Sequence, residues 1–167
     1  MDVTRRCDYA CRILQAAYRN GDAYMSVSDI AEQEGIPYAF ARSIQHDLVK
    51  SSLIRTVRGA HGGLALGCDP ADTTLLDVLE AIQGPVSVSA CVLDPSSCQR
   101  HFTCSYNKVW CGADSLLNCY FGSITLESLF QSGQEHPSIE TALNCKELFA
   151  SSDSHKASSD AAERVAG

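Results

Sequence analysis

Three cysteines that could bind a metal lie within fourteen residues of this 167-residue chain, at Cys91, Cys98 and Cys104. Thiolate sulfur is the donor that zinc, cuprous copper and iron-sulfur clusters favour. Three thiolates leave a fourth position to be filled from elsewhere in the fold or from a second chain. The segment before them has the pattern of a winged helix-turn-helix, which binds DNA. A metal or redox site beside such a unit is typical of a transcription switch.

The amino terminus mixes charged with apolar residues, whereas a signal peptide needs an uninterrupted apolar region. No apolar run approaches membrane-spanning length, so we expect a cytoplasmic protein with no membrane partner. In a reducing cytosol, the nine cysteines favour metal binding or catalysis over a disulfide framework. Three of them, Cys7, Cys11 and Cys68, are predicted to be small, buried apolar residues with a structural role.

The net charge of −7 is unevenly divided, since residues 1–66 carry +1 and residues 67–167 carry −8. Between residues 42 and 62, four basic side chains accompany Asp47 as the single carboxylate. This local excess could contact phosphates, although a solvated surface explains it almost as well. The amino-terminal part is therefore the candidate for facing DNA.

Apolar spacing in the first third of the chain predicts a helix-turn-helix and the helix beneath it. The first helix should run from about Thr4 to Arg19. Ser26 and Asp29 form a capping pattern that begins a second helix, which ends at Glu34 and Gly35.

A third helix is predicted after Pro37, a residue favoured in a first helical turn. Its inward side should consist of apolar residues at helical spacing: Phe40, Ala41, Ile44 and Leu48. The runs "LIRTVRG" and "GLAL" flank a glycine-rich turn and predict a β-hairpin wing. Thr74 and Asp77 can cap a fourth helix that reaches Ile82.

From Tyr106 to Phe121, apolar residues recur every three or four positions over about 25 Å of helix. Because the domain is small and this helix is long, we expect its apolar face to pack against a second copy of the chain in a homodimer. Packing within the same chain is the alternative. The run "ITLESLF" predicts a short closing helix, and the remainder should be weakly helical to disordered.

These patterns predict a mainly α fold with a small β-hairpin wing. Residues 1–84 would form the winged helix-turn-helix and residues 85–104 the cysteine-bearing loop. Residues 105–130 would form the dimerisation and closing helices, and residues 131–167 a tail to which we assign no function.

Six features in this order resemble the Rrf-two family of bacterial winged-helix regulators, which includes the IscR and NsrR types. They are "DYACRIL", "DIAEQEGIPYAFARSIQHDLVKSSLI", "RTVRGAHGGLAL", "TLLDVLEAIQGP", the three cysteines and "ITLESLF". The resemblance spans roughly residues 1 to 130. It implies a homodimer whose long helices cross near the two-fold axis and whose winged heads bind a partly palindromic DNA operator.

The resemblance also implies which residues contact DNA. The recognition helix would present Tyr38, Arg42 and Gln45 to the major groove, where a forked guanidinium or amide can satisfy two base-edge acceptors or donors at once. The wing would lie at the minor groove through Arg58, Gly59, His61, Gly62 and Gly63.

In cluster-binding members, three loop cysteines bind iron, and they match Cys91, Cys98 and Cys104 here. The first pair is separated by six residues and the second by five, so this loop holds one residue more than the usual five and five. IscR-type members complete a 2Fe-2S cluster with a histidine at the position of Asn107. NsrR-type members can use a first-helix aspartate of the other protomer on a 4Fe-4S cluster.

That aspartate position is occupied by Asp8, so an iron-sulfur cluster of the 4Fe-4S type is favoured, with 2Fe-2S possible. The alternative for Asp8 is an exposed ion pair with Arg12. Cys7, His101 and Cys111 are the competing candidates for the fourth ligand.

The predicted function is a transcriptional regulator, expected to repress, whose cluster senses nitric oxide, redox state or iron-sulfur status. One alternative keeps the fold but senses oxidants through disulfides among four cysteines: Cys91, Cys98, Cys104 and Cys111. Another is a structural zinc site. An enzyme is disfavoured, since the sequence shows no His-Cys catalytic pair and no phosphate-binding glycine loop.

Overall fold

The computed structural model describes residues 2–59 and 62–144. The first helix, α1, runs over Arg5–Arg19, and the Thr4 side chain caps it by accepting a hydrogen bond from the Cys7 backbone N–H at 3.3 Å. Apolar residues at helical spacing on α1 are fully buried: Ala10, Ile13, Leu14 and Ala17. Because α1 packs against the third and fourth helices, it lies at the centre of the hydrophobic core.

The helix-turn-helix consists of α2 (Val27–Gln33) and α3 (Tyr38–Lys50). Ser26 caps α2 as predicted, since its side chain accepts a hydrogen bond from the Asp29 N–H at 3.1 Å. On α3, three of the four residues predicted to face inward are fully buried: Ala41, Ile44 and Leu48.

The prediction for Phe40 was wrong, because its side chain is 51% exposed. One residue step rotates a helix by about 100°, so the residue before Ala41 falls at the edge of the buried stripe. Its ring packs edge-on against Tyr9, with 6.1 Å between ring centroids. This contact partly shields Phe40 without bringing it into the core.

The wing is an antiparallel pair of strands, β1 (Ile54–Val57) and β2 (Gly63–Leu66), with Val57 opposite Gly63. Leu64 is fully buried and forms a β-bridge to Met25, with hydrogen bonds of 2.8 and 3.0 Å between their backbones. The wing is thus held to the chain just before α2. The predicted mainly α fold with a β-hairpin wing is confirmed.

The fourth helix, α4 (Leu75–Gln83), begins with a reciprocal capping box between Thr74 and Asp77. It buries Val78 and Leu79 and ends at Gly84, whose φ of +84° lies in the region that favours glycine. Cys7 lies in a second, smaller cluster with Leu79 and Val86.

The cysteine-bearing segment contains a short helix, α5 (Ala90–Leu93), and a 3-10 turn over Pro95–Ser97. The long helix α6 (Asn107–Gly122) follows and packs against α4 and α5, and α7 (Leu126–Ser132) closes the unit. None of the helices described here has both the length and the apolar character that crossing a membrane requires.

The described residues divide at Gly133, and those from Gln134 onward belong to a second unit. That unit contains α8 (Pro137–Leu143) within the segment predicted to be weakly helical. The predicted disorder of the tail, and Cys145 with it, lies outside the described residues from position 145 onward.

Candidate nucleic-acid interface and cysteine loop

A groove lies between α3 and the wing, and it gathers five of the residues predicted to contact DNA. From α3 come Arg42 and Gln45, and from the wing come Arg58, Gly62 and Gly63. These residues are up to 21 positions apart, and the hairpin brings them to one concave surface. The arrangement can present forked side-chain donors from the helix and a cation from the wing.

Arg42 and Arg58 are both exposed, and neither forms an ion pair with any carboxylate in the described part of the chain. The acidic residue of this region, Asp47, forms an ion pair with Arg6 of α1. Arg55 lies 3.5 Å from the Asp22 carboxylate, with its guanidinium over the Tyr24 ring. The charge available to phosphates in the groove therefore comes from Arg42 and Arg58.

Two of the other predicted DNA contacts, Tyr38 and Gly59, do not line the groove. Tyr38 is 54% exposed and lies one helical turn before Arg42, which places it on the same side of α3. Gly59 is exposed in the wing turn and has a φ of +125°. His61 lies outside the described residues.

Two hydroxyl residues that the sequence reasoning missed also line the groove, Ser26 and Thr56. The sequence pattern predicts only a capping role for Ser26, and Thr56 lies in a strand whose three residues after Ile54 are all exposed. Without an alternating pattern, the sequence carries no signal that one face of β1 meets α3.

The three loop cysteines are all half-buried, Cys91 in α5, Cys98 after the 3-10 turn and Cys104 before α6. Within the described residues, no group of three or more His, Cys, Asp or Glu side chains is close enough to hold a metal ion. The donor set itself suits iron, because three thiolates are soft ligands and none is locked in a disulfide. The chemistry of these cysteines therefore fits an iron-sulfur cluster. In the described residues of one chain, however, their side chains do not surround a common metal position.

Asn107, the first residue of α6, contacts two side chains of this loop and one of α6. Its side-chain nitrogen lies 3.9 Å from Cys91 Sγ and 3.3 Å from His101 Nδ1, and Cys111 Sγ lies 3.8 Å from its oxygen. In the sequence, Asn107 is notable only because it stands where IscR-type members have a cluster-binding histidine. The structure instead places Cys91, His101 and Cys111 around one amide.

Asp8 is exposed on α1, where its carboxylate lies 2.9 Å from the Arg12 guanidinium. This is the ion pair anticipated as the alternative to a ligand role. An exposed pair of this kind contributes little to stability, so Asp8 can exchange Arg12 for another partner at small cost.

The two cysteines of α1, Cys7 and Cys11, are poor candidates for a metal ligand. Cys7 is fully buried, with its Sγ 3.0 Å from Gln83 Oε1, so it cannot reach another chain. Burial raises the pKa of the Cys11 thiol to about 12, with Cys7 and Asp8 nearby adding to the effect. Cys11 therefore stays a neutral thiol near pH 7, consistent with a structural role.

A helix-turn-helix followed by a two-stranded wing, with cations on both, defines a winged-helix protein. The family model described as "Rrf2: Iron-dependent Transcriptional regulator" matches residues 3–132. The chain belongs to this family, and it is a transcriptional regulator of the Rrf2 type, a type that binds DNA.

Similar proteins agree with this assignment. The transcriptional regulator IscR of Xenorhabdus nematophila is 28% identical over 130 residues, covering 77% of this chain and 79% of the relative. The solved structure of CymR, the global cysteine regulator of B. subtilis, has a TM-score of 0.64 at 23% identity and covers 78% of this chain and 97% of that one. T. potens IscR has a TM-score of 0.62 at 22% identity, with coverages of 82% and 91%. The two structures show the shared fold.

Proposed function

We propose that this regulator is a homodimer that represses transcription from a partly palindromic operator and that a cysteine-bound iron-sulfur cluster controls its affinity. The observation that carries its DNA-binding part is the groove that Arg42 of α3 and Arg58 of the wing both line. A cytoplasmic location accompanies this function, because the operator is there.

The DNA contacts follow from the exposed side of α3. In the major groove, the Arg42 guanidinium can donate to two base-edge acceptors, and the Gln45 amide can donate through Nε2 while it accepts through Oε1. Tyr38, one turn earlier, would extend this contact. Arg58 would enter the neighbouring minor groove, where a narrow groove concentrates negative potential.

The cluster would be held by Cys91, Cys98 and Cys104, with Asp8 of a second protomer as the proposed fourth ligand. When bound, an iron-sulfur cluster supplies a group whose state changes with nitric oxide, redox conditions or iron supply. The chain's own contribution is to hold Cys91 against α6, where the Asn107 amide donates toward its sulfur. The family's description as iron-dependent supports this proposal.

The exposed apolar side of α6 supports the homodimer. Tyr106, just before α6, and Val109 and Leu116 within it are 68%, 58% and 55% exposed. Two such faces in contact would place the winged heads at a defined separation, which must match about 34 Å for successive major grooves on one side of B-DNA. A change in the cysteine loop next to α6 would alter that separation.

The decisive test is an anaerobic absorption spectrum of the freshly purified full chain, with iron, sulfide and zinc assays on the same sample. Visible bands with matching iron and sulfide are expected in the wild type and in Cys119→Ala, since Cys119 is exposed on α6 outside the loop. Cys91→Ala, Cys98→Ala and Cys104→Ala should each lose them.

Operator affinity is then compared with and without the cluster, using DNA selected in vitro by the wild-type protein and fluorescence anisotropy. Cluster removal should change the affinity at least tenfold, a coupling free energy of about 1.4 kcal/mol. Colourless protein after anaerobic reconstitution, or equal affinities of the two forms, would reject cluster control. Zinc in the colourless protein would instead identify a structural zinc site.

A second candidate is a cluster-free sensor that forms a disulfide between Cys91 and Cys111. The supporting observation is that both sulfurs contact the same Asn107 side chain. With hydrogen peroxide as the oxidant, Cys91 would become a sulfenic acid with release of water. Attack by the Cys111 thiol would then form the disulfide and release a second water. Non-reducing mass spectrometry after peroxide treatment would detect this bond, and its absence would reject this candidate.

A further inference from the structure

Asp114 is the buried carboxylate of the described residues, with 7% of its surface exposed in the middle of α6. Burying a carboxylate is costly unless hydrogen bonds replace its lost water. Two groups of the segment that precedes Cys91 do so. The Val88 N–H donates to one carboxylate oxygen at 2.7 Å, and the Ser87 hydroxyl donates to the other.

These bonds continue to Cys91 through two serines. The Ser87 hydroxyl oxygen accepts a hydrogen bond from the Ser89 N–H at 3.3 Å. The Ser89 hydroxyl in turn lies 3.2 Å from Cys91 Sγ. A continuous series of polar contacts therefore connects the Asp114 carboxylate to the first cysteine of the loop.

A second contact one helical turn later supports the same segment. The Asn118 side-chain nitrogen donates to the Val86 carbonyl at 3.2 Å and to the Asp114 carbonyl at 2.8 Å. Val86 is itself buried. Two successive turns of α6 thus hold residues 86–88, which lead directly into α5 and Cys91.

The region of the loop between Cys91 and Cys98 is held differently. Asp94 accepts hydrogen bonds from the backbone and hydroxyl of Ser96, and its own carbonyl accepts one from Ser97. These are bonds between near neighbours in the chain, and the three residues are exposed. The segment leading into Cys91, by contrast, is bonded directly to α6.

We propose that Asp114 is a positioning residue that fixes Cys91 relative to α6 through Ser87 and Ser89. A change at Cys91, whether loss of a cluster or oxidation, is thereby passed to the helix that carries the exposed apolar side. This second step rests on the proposed function, whereas the positioning of Cys91 does not.

The test measures how fast N-ethylmaleimide alkylates individual cysteines in the reduced, chelator-treated full chain, resolved by peptide mass spectrometry. Cys119 is exposed and reports the reagent's intrinsic rate, while Cys7 is fully buried and reports global unfolding. Asp114→Ala should raise the Cys91 rate about tenfold relative to Cys119 and leave Cys7 protected, because losing hydrogen bonds to a charged group favours local opening. Asp94→Asn, which alters only local loop bonds, is the matched control and should leave the ratio unchanged.

If Asp114→Ala does not fold, two less disruptive variants at Ser87 test the same proposal. Ser87→Ala removes the hydroxyl that contacts Asp114 and should raise the alkylation rate of Cys91. Ser87→Thr retains a hydroxyl and should have nearly the wild-type rate. An unchanged Cys91 ratio in Asp114→Ala, or equal increases at Cys91 and Cys7, would overturn the proposal. If the two Ser87 variants are compared instead, equal alkylation rates of Cys91 in both would also overturn the proposal.

The measurement needs no iron, so its outcome is separate from that of the cluster assays. If the protein binds no cluster but the Cys91 rate responds to Asp114, the positioning inference holds and cluster control fails. In cluster-loaded protein, the visible absorption of Asp114→Ala should decay faster in air than that of Asp94→Asn.

Discussion

At the scale of single residues, the contrast among the arginines separates binding from structural roles. Arg6 pairs with Asp47 across α1 and α3, and Arg55 lies beside Asp22. Arg42 and Arg58 have no carboxylate partner within the described chain, and both line the groove. Unpaired guanidinium groups on one concave surface are what recognition of a phosphate-flanked base edge requires.

Arg42→Ala should weaken binding to the selected operator by about 1–3 kcal/mol, roughly five- to more than a hundredfold, because a bidentate base contact is lost. Arg42→Lys keeps the positive charge but cannot donate two parallel hydrogen bonds to one base. It should therefore retain binding while losing discrimination at one base pair. Fluorescence anisotropy with matched and single-mismatch duplexes measures both effects.

Arg55→Ala is the control, because its guanidinium is engaged with Asp22 and Tyr24. It should bind with nearly wild-type affinity. Equal losses from Arg42→Ala and Arg55→Ala would show that the groove acts through general charge alone and that α3 does not read bases.

At the scale of elements, the wing depends on two glycines that pack against backbone. A Cβ on Gly62 would meet the Val57 carbonyl, and one on Gly63 would meet the Met25 carbonyl. Both contacts are far closer than van der Waals distance and involve backbone that cannot rotate away. The strand pairing and the bridge from Met25 to Leu64 therefore require glycine at these positions.

Gly63→Ala should lower the free energy of unfolding by about 1–3 kcal/mol, because the added methyl forces the wing away from Met25. The melting temperature followed by circular dichroism should fall by several degrees, and operator affinity should fall with it. Gly122→Ala is the control, since its Cβ would meet only Leu76 Cδ2 at an ordinary 3.7 Å. A melting temperature of Gly63→Ala equal to that of the control would contradict this account of the wing.

At the scale of the whole molecule, charge is unevenly divided along the chain. Residues 1–66 carry a net +1 and contain the groove, whereas residues 67–167 carry −8. A net charge of −7 is therefore compatible with DNA binding, because attraction acts over about 10 Å at moderate salt and depends on the local surface. The exposed apolar residues of α6 lie in the acidic part, where self-association would cover them.

Replacing Val109 and Leu116 together with Asp should convert the protein from dimer to monomer, because burying two carboxylates in an apolar contact is unfavourable. Light scattering coupled to size exclusion should then give one chain mass, 18.0 kDa, in place of two. Operator affinity should fall as well, since the two heads would no longer bind together.

Ser115→Asp adds a carboxylate at an exposed polar position of α6 and should leave the dimer intact. A monomeric wild type, or a double variant that remains dimeric, would show that α6 does not form the interface.

Much of the fold was predictable because its signals are local. The predicted caps at Ser26 and Thr74 each operate within about four residues, and the structure confirms them. The wing follows from two β-rich runs around glycines. Phe40 was predicted wrongly, because apolar spacing alone does not locate the edge of a buried stripe.

The candidate site was predictable only in its residue types. The sequence by itself determined the helices, the wing, the excess of cations between residues 42 and 62 and the three loop thiols, since these depend on composition and short-range spacing. Only the tertiary structure decided that Ser26 and Thr56 join Arg42 at one groove, that Asn107 lies among Cys91, His101 and Cys111, and that Asp114 holds the segment before Cys91. Most of these contacts join residues far apart in the chain, and their distances are set by how whole elements pack, which local spacing does not encode.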